Sequence, residues 1–371
     1  MQFTMNTQDL LESLNIVTRA LSARPAKQIL EGVLIDADDD RVTLTCSDGS
    51  MSIQAINAAD VKEVGRLVLP GRLFNELIRK LPGGSVTVSV TDNRTASIRC
   101  MKSRSNMACM NAGEYPDVVS IANGTEIKIP QNKLKDMISR VVFAIATDET
   151  RQILTGCLME ISRDEARLVA LDGFRLAIQK VFQPFELPAG MEKMTAIIPG
   201  KVMNELSRIL PDDDAFCHMY FEKGRVQVNF GNISFSTVLL NGEYIDYRRI
   251  LPDDFHTEAK ANRGSVLEAI DRASLMAREG KNNLIKMKFE GNTLTISSNA
   301  ELGDVKEETE AVLNGNAIEI AFNAKYITDI IRNVSDDDIF MKFKTNVSPC
   351  VFVPQQGDDY LYLILPVRVF Q

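Results

Sequence analysis

The stretch LPGRLFNELIRKLP at residues 69–82 returns as IPGKVMNELSRILP at 198–211 and, more faintly, as FNAKYITDIIRNVS at 322–335. A period read off a sequence fixes the building block, so this chain is one design written three times. At about 100° per residue, the α-helical step, each copy separates into two arcs. Arg72, Asn75, Glu76, Arg79 and Lys80 share one arc of the first copy, opposite Leu73, Phe74, Leu77, Ile78 and Leu81. Lys201, Asn204, Glu205 and Arg208 repeat the polar arc, as do Lys325, Thr328, Asp329 and Arg332. Each copy predicts an amphipathic helix lying on a sheet, with a cation at its start and another two turns later.

A second repeat supports the first. ILEGVLIDADDDRVTLTCSDG at 29–49 aligns without a gap on ILTGCLMEISRDEARLVALDG at 153–173, and LIKMKFEGNTLTISSN at 284–299 is a shorter relative lacking the Asp-Gly. Alternating apolar runs joined by such turns predict β-hairpins. Further helix patterns begin at Asp9, Asn132 and Ser265, which places six helix starts near 9, 72, 132, 201, 265 and 325. Strand-like runs such as SVTVSV, RVQVNFGNISFSTVLL and IFMKFK fill the intervals. The unit is a strand, a helix and about three further strands, twice per domain. The fold class is therefore α+β, with three similar domains expected at 1–124, 125–252 and 253–371. SIANGTEI and ILPDDFHTEA, at the boundaries, carry Gly and Pro-Asp linker signals.

The chain has 371 residues, 45% of them hydrophobic, enough for two or three ordinary cores. It contains no apolar run long enough to span a bilayer, and MQFTMNTQDLLES lacks a basic-then-apolar leader. Six scattered cysteines without a CxxC predict buried free thiols in a reducing cytosol. The net charge of −8 argues at first against a nucleic-acid binder. Its distribution says otherwise: the windows 8–27, 72–80, 132–140, 201–208, 263–281 and 325–332 together carry +8, leaving −16 elsewhere. Helices facing one way would then attract a polyanion while the exterior repelled it.

Enzyme signatures are nearly absent. His218 and His256 have no second ligand at metal spacing, and neither GxxxxGK[ST] nor GxGxxG occurs. The acidic runs at 38–40, 212–214 and 336–338 read as turns before they read as cation sites. No cofactor and no metal are expected. Three apolar segments beside arginines are more suggestive of a partner groove: LDGFRLA at 171–177, YIDYRRILP at 244–252 and YLILPVRVF at 362–370.

Together with the PG[RK]xxxEL helix, these segments make the whole chain resemble the bacterial sliding clamps, the β subunit of DNA polymerase III. The resemblance implies a non-enzymatic processivity factor in the cytoplasm: a head-to-tail homodimeric ring, helices inside and sheets outside, encircling duplex DNA without reading its sequence. It implies as partners the polymerase III catalytic subunit, the clamp loader, and other polymerases and repair proteins that carry a short clamp-binding motif. No membrane is involved.

Carried over residue by residue, the DNA contacts fall on Arg24, Arg72, Arg79, Arg140, Gln152 and Lys201. The partner-peptide groove falls on Leu154, Leu171, Gly173, Phe174, Arg175, Leu176, Ile245, Arg249, Ile250, Leu363, Leu365, Pro366, Val367 and Arg368. The dimer contact joins Arg104 and Met107, within 102–110, to Leu275, Met276 and the strand 303–312. Some members carry aromatics where this chain has Gln152, Ile153 and Ser105, and a histidine at Phe174. The tail runs two residues past the usual end, to Phe370 and Gln371. Two other readings remain at this stage: a clamp-like scaffold that binds proteins but encircles nothing, and an enzyme using the aspartate runs.

Overall fold

The computed structural model describes residues 1–22, 24–90, 95–118, 120–280 and 283–368. The extension Phe370–Gln371 lies outside them. The first repeat opens with β1 (Gln2–Asn6), α1 (Thr7–Val17), β2 (Gly32–Asp38), β3 (Arg41–Ser47) and β4 (Met51–Ala58). After the short β5 (Asp60–Glu63) come β6 (Gly65–Pro70), α2 (Gly71–Lys80), β7 (Ser85–Val90), β8 (Thr95–Cys100) and β9 (Ser103–Ala108). The second repeat begins with β10 (Thr125–Pro130), α3 (Gln131–Ser139), β11 (Gly156–Ile161), β12 (Glu165–Leu171) and β13 (Arg175–Phe182). It ends with β14 (Met194–Pro199), α4 (Gly200–Ile209), β15 (Phe216–Glu222), β16 (Arg225–Phe230) and β17 (Ile233–Val238). The third runs β18 (Thr257–Asn262), α5 (Arg263–Glu279), β19 (Leu284–Glu290), β20 (Thr293–Ala300) and β21 (Gly303–Gly315). It closes with β22 (Ile318–Asn323), α6 (Ala324–Asn333), β23 (Asp338–Phe343), β24 (Cys350–Val353) and β25 (Tyr360–Ile364). A strand, a helix and three strands thus recur six times, and β5 is an addition.

Two compact units emerge. The first comprises Met1–Lys135 and Glu205–Leu239, and the second Asp136–Asn204 and Leu240–Gln371. In the first, five strands pair in the order β5-β1-β7-β8-β9 and eight in the order β10-β15-β16-β17-β4-β3-β2-β6. In the second, one sheet runs β14-β11-β12-β13-β25-β24-β23-β18-β21-β20-β19-β22. Half of the middle repeat therefore pairs with the first through β17 and β4, and half with the third through β13 and β25.

The cores follow the period read from the sequence. In the first unit Leu10, Leu14 and Val17 of α1 and Phe74 and Ile78 of α2 are buried. In the second, Val266, Ala269, Ile270 and Ala273 of α5 and Ile327, Ile330 and Ile331 of α6 are buried. Truncating such a leucine or isoleucine to alanine costs about 2–5 kcal/mol. The Pro-Gly of the repeat has a steric cause: a Cβ on Gly71 would meet Leu21 Cδ1 at 2.7 Å, and one on Gly200 would meet Ile145 Cγ2 at 2.7 Å and Thr155 O at 2.8 Å.

The helical-wheel reading needs two corrections. Leu73, placed on the apolar arc, is 59% exposed, and Asn75, placed on the polar arc, is 7% exposed. The neighbouring α1 is the reason: Asn75 Nδ2 donates to Asn15 Oδ1 at 3.2 Å and faces Thr18 Oγ1 at 3.5 Å. The charge trend also narrows. Within its bounds α1 carries Asp9 and Glu12 and no cation, its window owing its positive charge to Arg19, Arg24 and Lys27 beyond it. In α5 three cations are balanced by Glu268, Asp271 and Glu279. Net positive charge belongs to α2, α3, α4 and α6.

All six cysteines are free, five of them buried and Cys109 half-buried. Burial pushes the Cys157 thiol up to about 12. His218 lies on β15 with Nδ1 2.7 Å from Glu126 Oε1. The aspartate runs form turns, with Asp39 at φ 46° and Asp213 Oδ1 accepting the Ala215 N–H. Among the described residues no helix is long and apolar enough to cross a membrane.

Candidate peptide groove and basic surfaces

The DGFRLA segment makes the tight turn between β12 and β13. Asp172 Oδ1 accepts the N–H groups of Phe174 and Arg175 at 2.9 and 3.0 Å, and Gly173 at φ 92° supplies the left-handed residue the turn requires. The turn directs Phe174 outward, 57% exposed, and Arg175 inward, 8% exposed. Arg175 is held on every side. Nε donates to Asp172 Oδ2 at 3.0 Å, Nη1 to Asp329 Oδ2 at 2.7 Å and Nη2 to Phe143 O at 2.6 Å. Its guanidinium lies 4.6 Å from the Tyr326 ring centre and 5.2 Å from that of Phe143. Tyr326 also stacks on Phe174, centroids 5.6 Å apart.

Beneath the turn is one apolar cluster containing Leu154, Leu158, Val169, Leu171, Leu176, Ile178, Tyr247 and Leu363. Four of the five expected groove leucines, 154, 171, 176 and 363, are at most 3% exposed. They form a floor that no side chain enters without displacing core atoms. The exposed apolar surface comes from residues next to them: Phe174, Ile245 at 41%, Ile250 at 37% and Leu365 at 38%. The 3-10 turn Tyr247–Ile250 explains the alternation, because Tyr244, Tyr247 and Leu251 pack on the cluster while Ile245, Arg249 and Ile250 face out. Arg249 pairs with Asp246 at 3.0 Å with its side chain 85% exposed.

The tail continues past β25. Leu365 N–H donates to Phe174 O at 2.8 Å and Val367 N–H to Ala321 O at 2.8 Å. Pro366 and Val367 are half-buried, and Arg368 is exposed. The structure thus gathers every expected groove residue into one unit. Tyr326 of α6 joins them through its contacts with Phe174 and Arg175, and it was not among the expected groove residues. The available signal was an aromatic in the third copy at the helical position held by Leu73 and Val202 in the others.

The expected DNA contacts are more dispersed. Arg24, Arg72, Gln152 and Lys201 are exposed. Arg79 donates to Glu76 Oε1 at 2.6 Å and to Asn15 Oδ1 at 3.0 Å while remaining half exposed. Arg140 is committed within the protein, to Asp136 at 2.7 Å and to Asn333 O at 2.8 Å.

The expected dimer residues also divide. Leu275 is 57% exposed and Arg104 is exposed, but Met107 is 8% exposed because alternation on β9 turns it toward its own core. Met101, at 76%, and Leu302, at 79%, are exposed apolar residues that the sequence reading passed over. Among the described residues β9 pairs only with β8, and residues 303–310 of β21 pair only with β20.

Family models of the DNA polymerase III beta subunit match the chain in three consecutive pieces: the N-terminal domain over residues 1–119, the central domain over 128–246 and the C-terminal domain over 248–368. The chain is 34% identical over 380 aligned residues to the beta sliding clamp of Staphylococcus epidermidis and 33% identical to that of Staphylococcus aureus, each covered in full. The crystal structure of the DNA polymerase sliding clamp from Bacillus subtilis superposes with a TM-score of 0.95 at 34% identity, covering all of both chains. That of the DNA polymerase III beta subunit from Thermotoga maritima gives 0.92 at 27% identity, again over both entire chains. With three clamp domains in series and full-length relatives above 30% identity, the chain belongs to the DNA polymerase III beta subunit family, the bacterial sliding clamps.

Proposed function

We propose that two copies of this chain close head to tail into a ring of six domains, bounded at 1–124, 125–252 and 253–371 in each copy, that encircles duplex DNA. The observation that carries this reading is a pair of open strand edges of opposite charge. The β8–β9 hairpin, residues 95–108, holds Arg99, Lys102 and Arg104 and no acid. The stretch 301–310 holds Glu301, Asp304, Glu307, Glu308 and Glu310 against the single Lys306. Among the described residues each edge leaves backbone N–H and C=O groups without a strand partner on one side, and an unpaired edge is a template for another strand. Opposite charges favour unlike edges meeting and oppose like ones, which is a head-to-tail contact. Arg104, Met101, Leu275, Met276 and Leu302 contribute the side chains, and Met107 supports the strand from within.

Arg24, Arg72, Arg79, Lys201 and Gln152 meet phosphates, with Arg140 acting through its charge alone. Contacts of this kind carry no sequence information, so the ring slides. The groove holds a peptide from the polymerase III catalytic subunit, the clamp loader, or other polymerases and repair proteins, apolar anchors going against Phe174, Ile245, Ile250 and Leu365. The protein acts in the cytoplasm as a tether and performs no chemistry of its own. On this reading the native mass is twice 41.3 kDa. Loaded protein is retained on nicked circular DNA and escapes when the circle is cut. Equal escape from circular and linear DNA would reduce the molecule to a scaffold that encircles nothing. Unchanged polymerase processivity after charge reversal at Arg24, Arg79 and Lys201 would remove the assigned DNA surface.

A further inference from the structure

Opposite the groove surface of the Tyr247–Ile250 turn lies a buried carboxylate that the function so far leaves unused. Glu160, on β11, is 6% exposed. Its Oε2 accepts from Tyr247 Oη at 2.7 Å and Arg248 Nη2 at 2.8 Å, and its Oε1 accepts from Arg248 Nη2 at 3.1 Å and from Lys193 Nζ. Arg167 Nη1 donates to the same Tyr247 hydroxyl at 3.0 Å. Arg248 also lies over the Tyr247 ring, 4.8 Å from its centre. Two consecutive residues of the turn are thereby fixed to one carboxylate. Burial alone would raise the pKa of Glu160, but the hydrogen bonds from Lys193 and Tyr247 outweigh it and the net shift is downward. The matching position in the first repeat, 124 residues earlier, is Asp36, whose side chain is 40% exposed and pairs with Arg66 at 3.0 Å. A buried anchor under this strand is a property of the second repeat and not of the shared design.

We propose that Glu160 is a positioning residue for the partner groove: through Tyr247 and Arg248 it sets where Ile245, Arg249 and Ile250 stand, and so how tightly a partner's apolar anchor is held. This rests on the groove reading above. Packing of Tyr247 and Leu251 on the apolar cluster seats the turn, and its own backbone adds only short-range bonds, so the polar contacts to Glu160 are what fix the orientation of Tyr247 and Arg248 within it. Arg248 Nη2 shared between both oxygens of the carboxylate, together with the buried Tyr247 hydroxyl, ties the turn to Glu160 by charge-assisted hydrogen bonds. The partner never touches Glu160.

The test is a titration of the full-length protein with a short labelled peptide carrying leucine and phenylalanine flanked by aspartates. Glu160→Gln keeps the shape and removes the charge, and is expected to weaken binding about tenfold, the scale of losing a hydrogen-bonded buried charge. A general loss of stability is separated from positioning by a double-mutant cycle with Ile250→Ala. If Glu160 acts through Ile250, Glu160→Gln adds little in the Ile250→Ala background. Additive losses would overturn the proposal, as would a Glu160→Gln protein that binds within twofold of the original. Should Glu160→Gln fail to fold, Tyr247→Phe removes one hydroxyl and keeps the ring, and the same cycle applies. A protein whose peptide binding ignores Leu365→Asp refutes the groove reading instead, and the two failures are distinct.

Discussion

The turn at 48–51 and the turn at 172–175 share one structure and differ in what they expose. Asp48 Oδ1 accepts the N–H groups of Ser50 and Met51 as Asp172 Oδ1 accepts those of Phe174 and Arg175, and Gly49 and Gly173 sit at φ 95° and 92°. Even the neighbouring strand is bonded alike: Val238 N–H to Ser50 O at 3.0 Å, Leu365 N–H to Phe174 O at 2.8 Å. Below the first turn, Ile29, Leu30, Leu34 and Val68 are covered by Tyr115, with Met110 and Ala112 packed alongside. Below the second, Tyr244 of GEYID takes the place of Tyr115 of GEYPD, but Ile245 replaces Pro116 and Phe174 replaces Ser50. Val238 and Leu365 are equally exposed, at 37 and 38%, so the tail position does not by itself distinguish the two sites. The difference lies in the residue after the turn glycine and the residue after the covering tyrosine: two exposed apolar side chains in the second repeat, a serine and a proline in the first. The second repeat thus exposes apolar surface above a cluster placed as in the first.

The largest break in this comparison is at the buried partner of each turn. Arg175→Met installs the residue of the first repeat, Met51, and leaves the Asp172 and Asp329 carboxylates without their cation. Removing one member of a buried ion pair costs about 3–5 kcal/mol. Urea unfolding followed by circular dichroism should show a loss of at least that lower figure, and a stability equal to the original would mean the two turns are interchangeable. Next comes the tail. A chain ending at Ile364 keeps β25 but loses Leu365–Arg368, and its affinity for the labelled peptide should fall about a hundredfold, the scale of a hot-spot residue. Phe174→Ser is milder. It deletes the stack on Tyr326 and one exposed wall, for about a tenfold loss. The reverse change, Ser50→Phe, should create no second peptide site, because Pro116 still stands where the second repeat has the exposed Ile245.

Much of this was readable from residues alone, for a physical reason. Helix faces and hairpins obey short periods, so PG[RK]xxxEL and the Asp-Gly turns revealed the half-unit and its repetition. Exceptions arose where a neighbour distant in sequence decides burial. Asn75 is buried because Asn15 and Thr18 face it, and Met107 because β9 pairs in one register with β8. Likewise, no local pattern says that β4 pairs with β17 and β13 with β25, strands separated by about half of the chain. For the proposed groove, the residues alone offered three apolar segments beside arginines, and the individual positions came from family resemblance. Composition does not separate Phe174, which faces out, from Leu171, which is core. Glu160 was invisible for the same reason: on a strand with period two it occupies one more alternating place, and only the fold brings Lys193, Tyr247 and Arg248 to it.

The smallest effect concerns pH, and it separates Glu160 from Asp36 by charge alone. Because the folded state lowers the pKa of Glu160 below its ordinary 4.5, the folded protein binds fewer protons there than the unfolded chain does. Its stabilisation is therefore fully present above that ordinary value and is lost as pH falls through the lower, folded one. Lys193 and Arg248, with side chains 41 and 51% exposed, are screened by water, so the effect should stay below about 1 kcal/mol. Glu160→Gln has no proton to take up. The gap in melting temperature between the original protein and this variant should accordingly be constant at neutral pH and close progressively below 4.5. Asp36→Asn, at an exposed pair, should change the melting temperature little at neutral pH. A Glu160→Gln gap that persists unchanged into acid would mean that shape, and not the carboxylate's charge, holds Tyr247 and Arg248 beneath the groove.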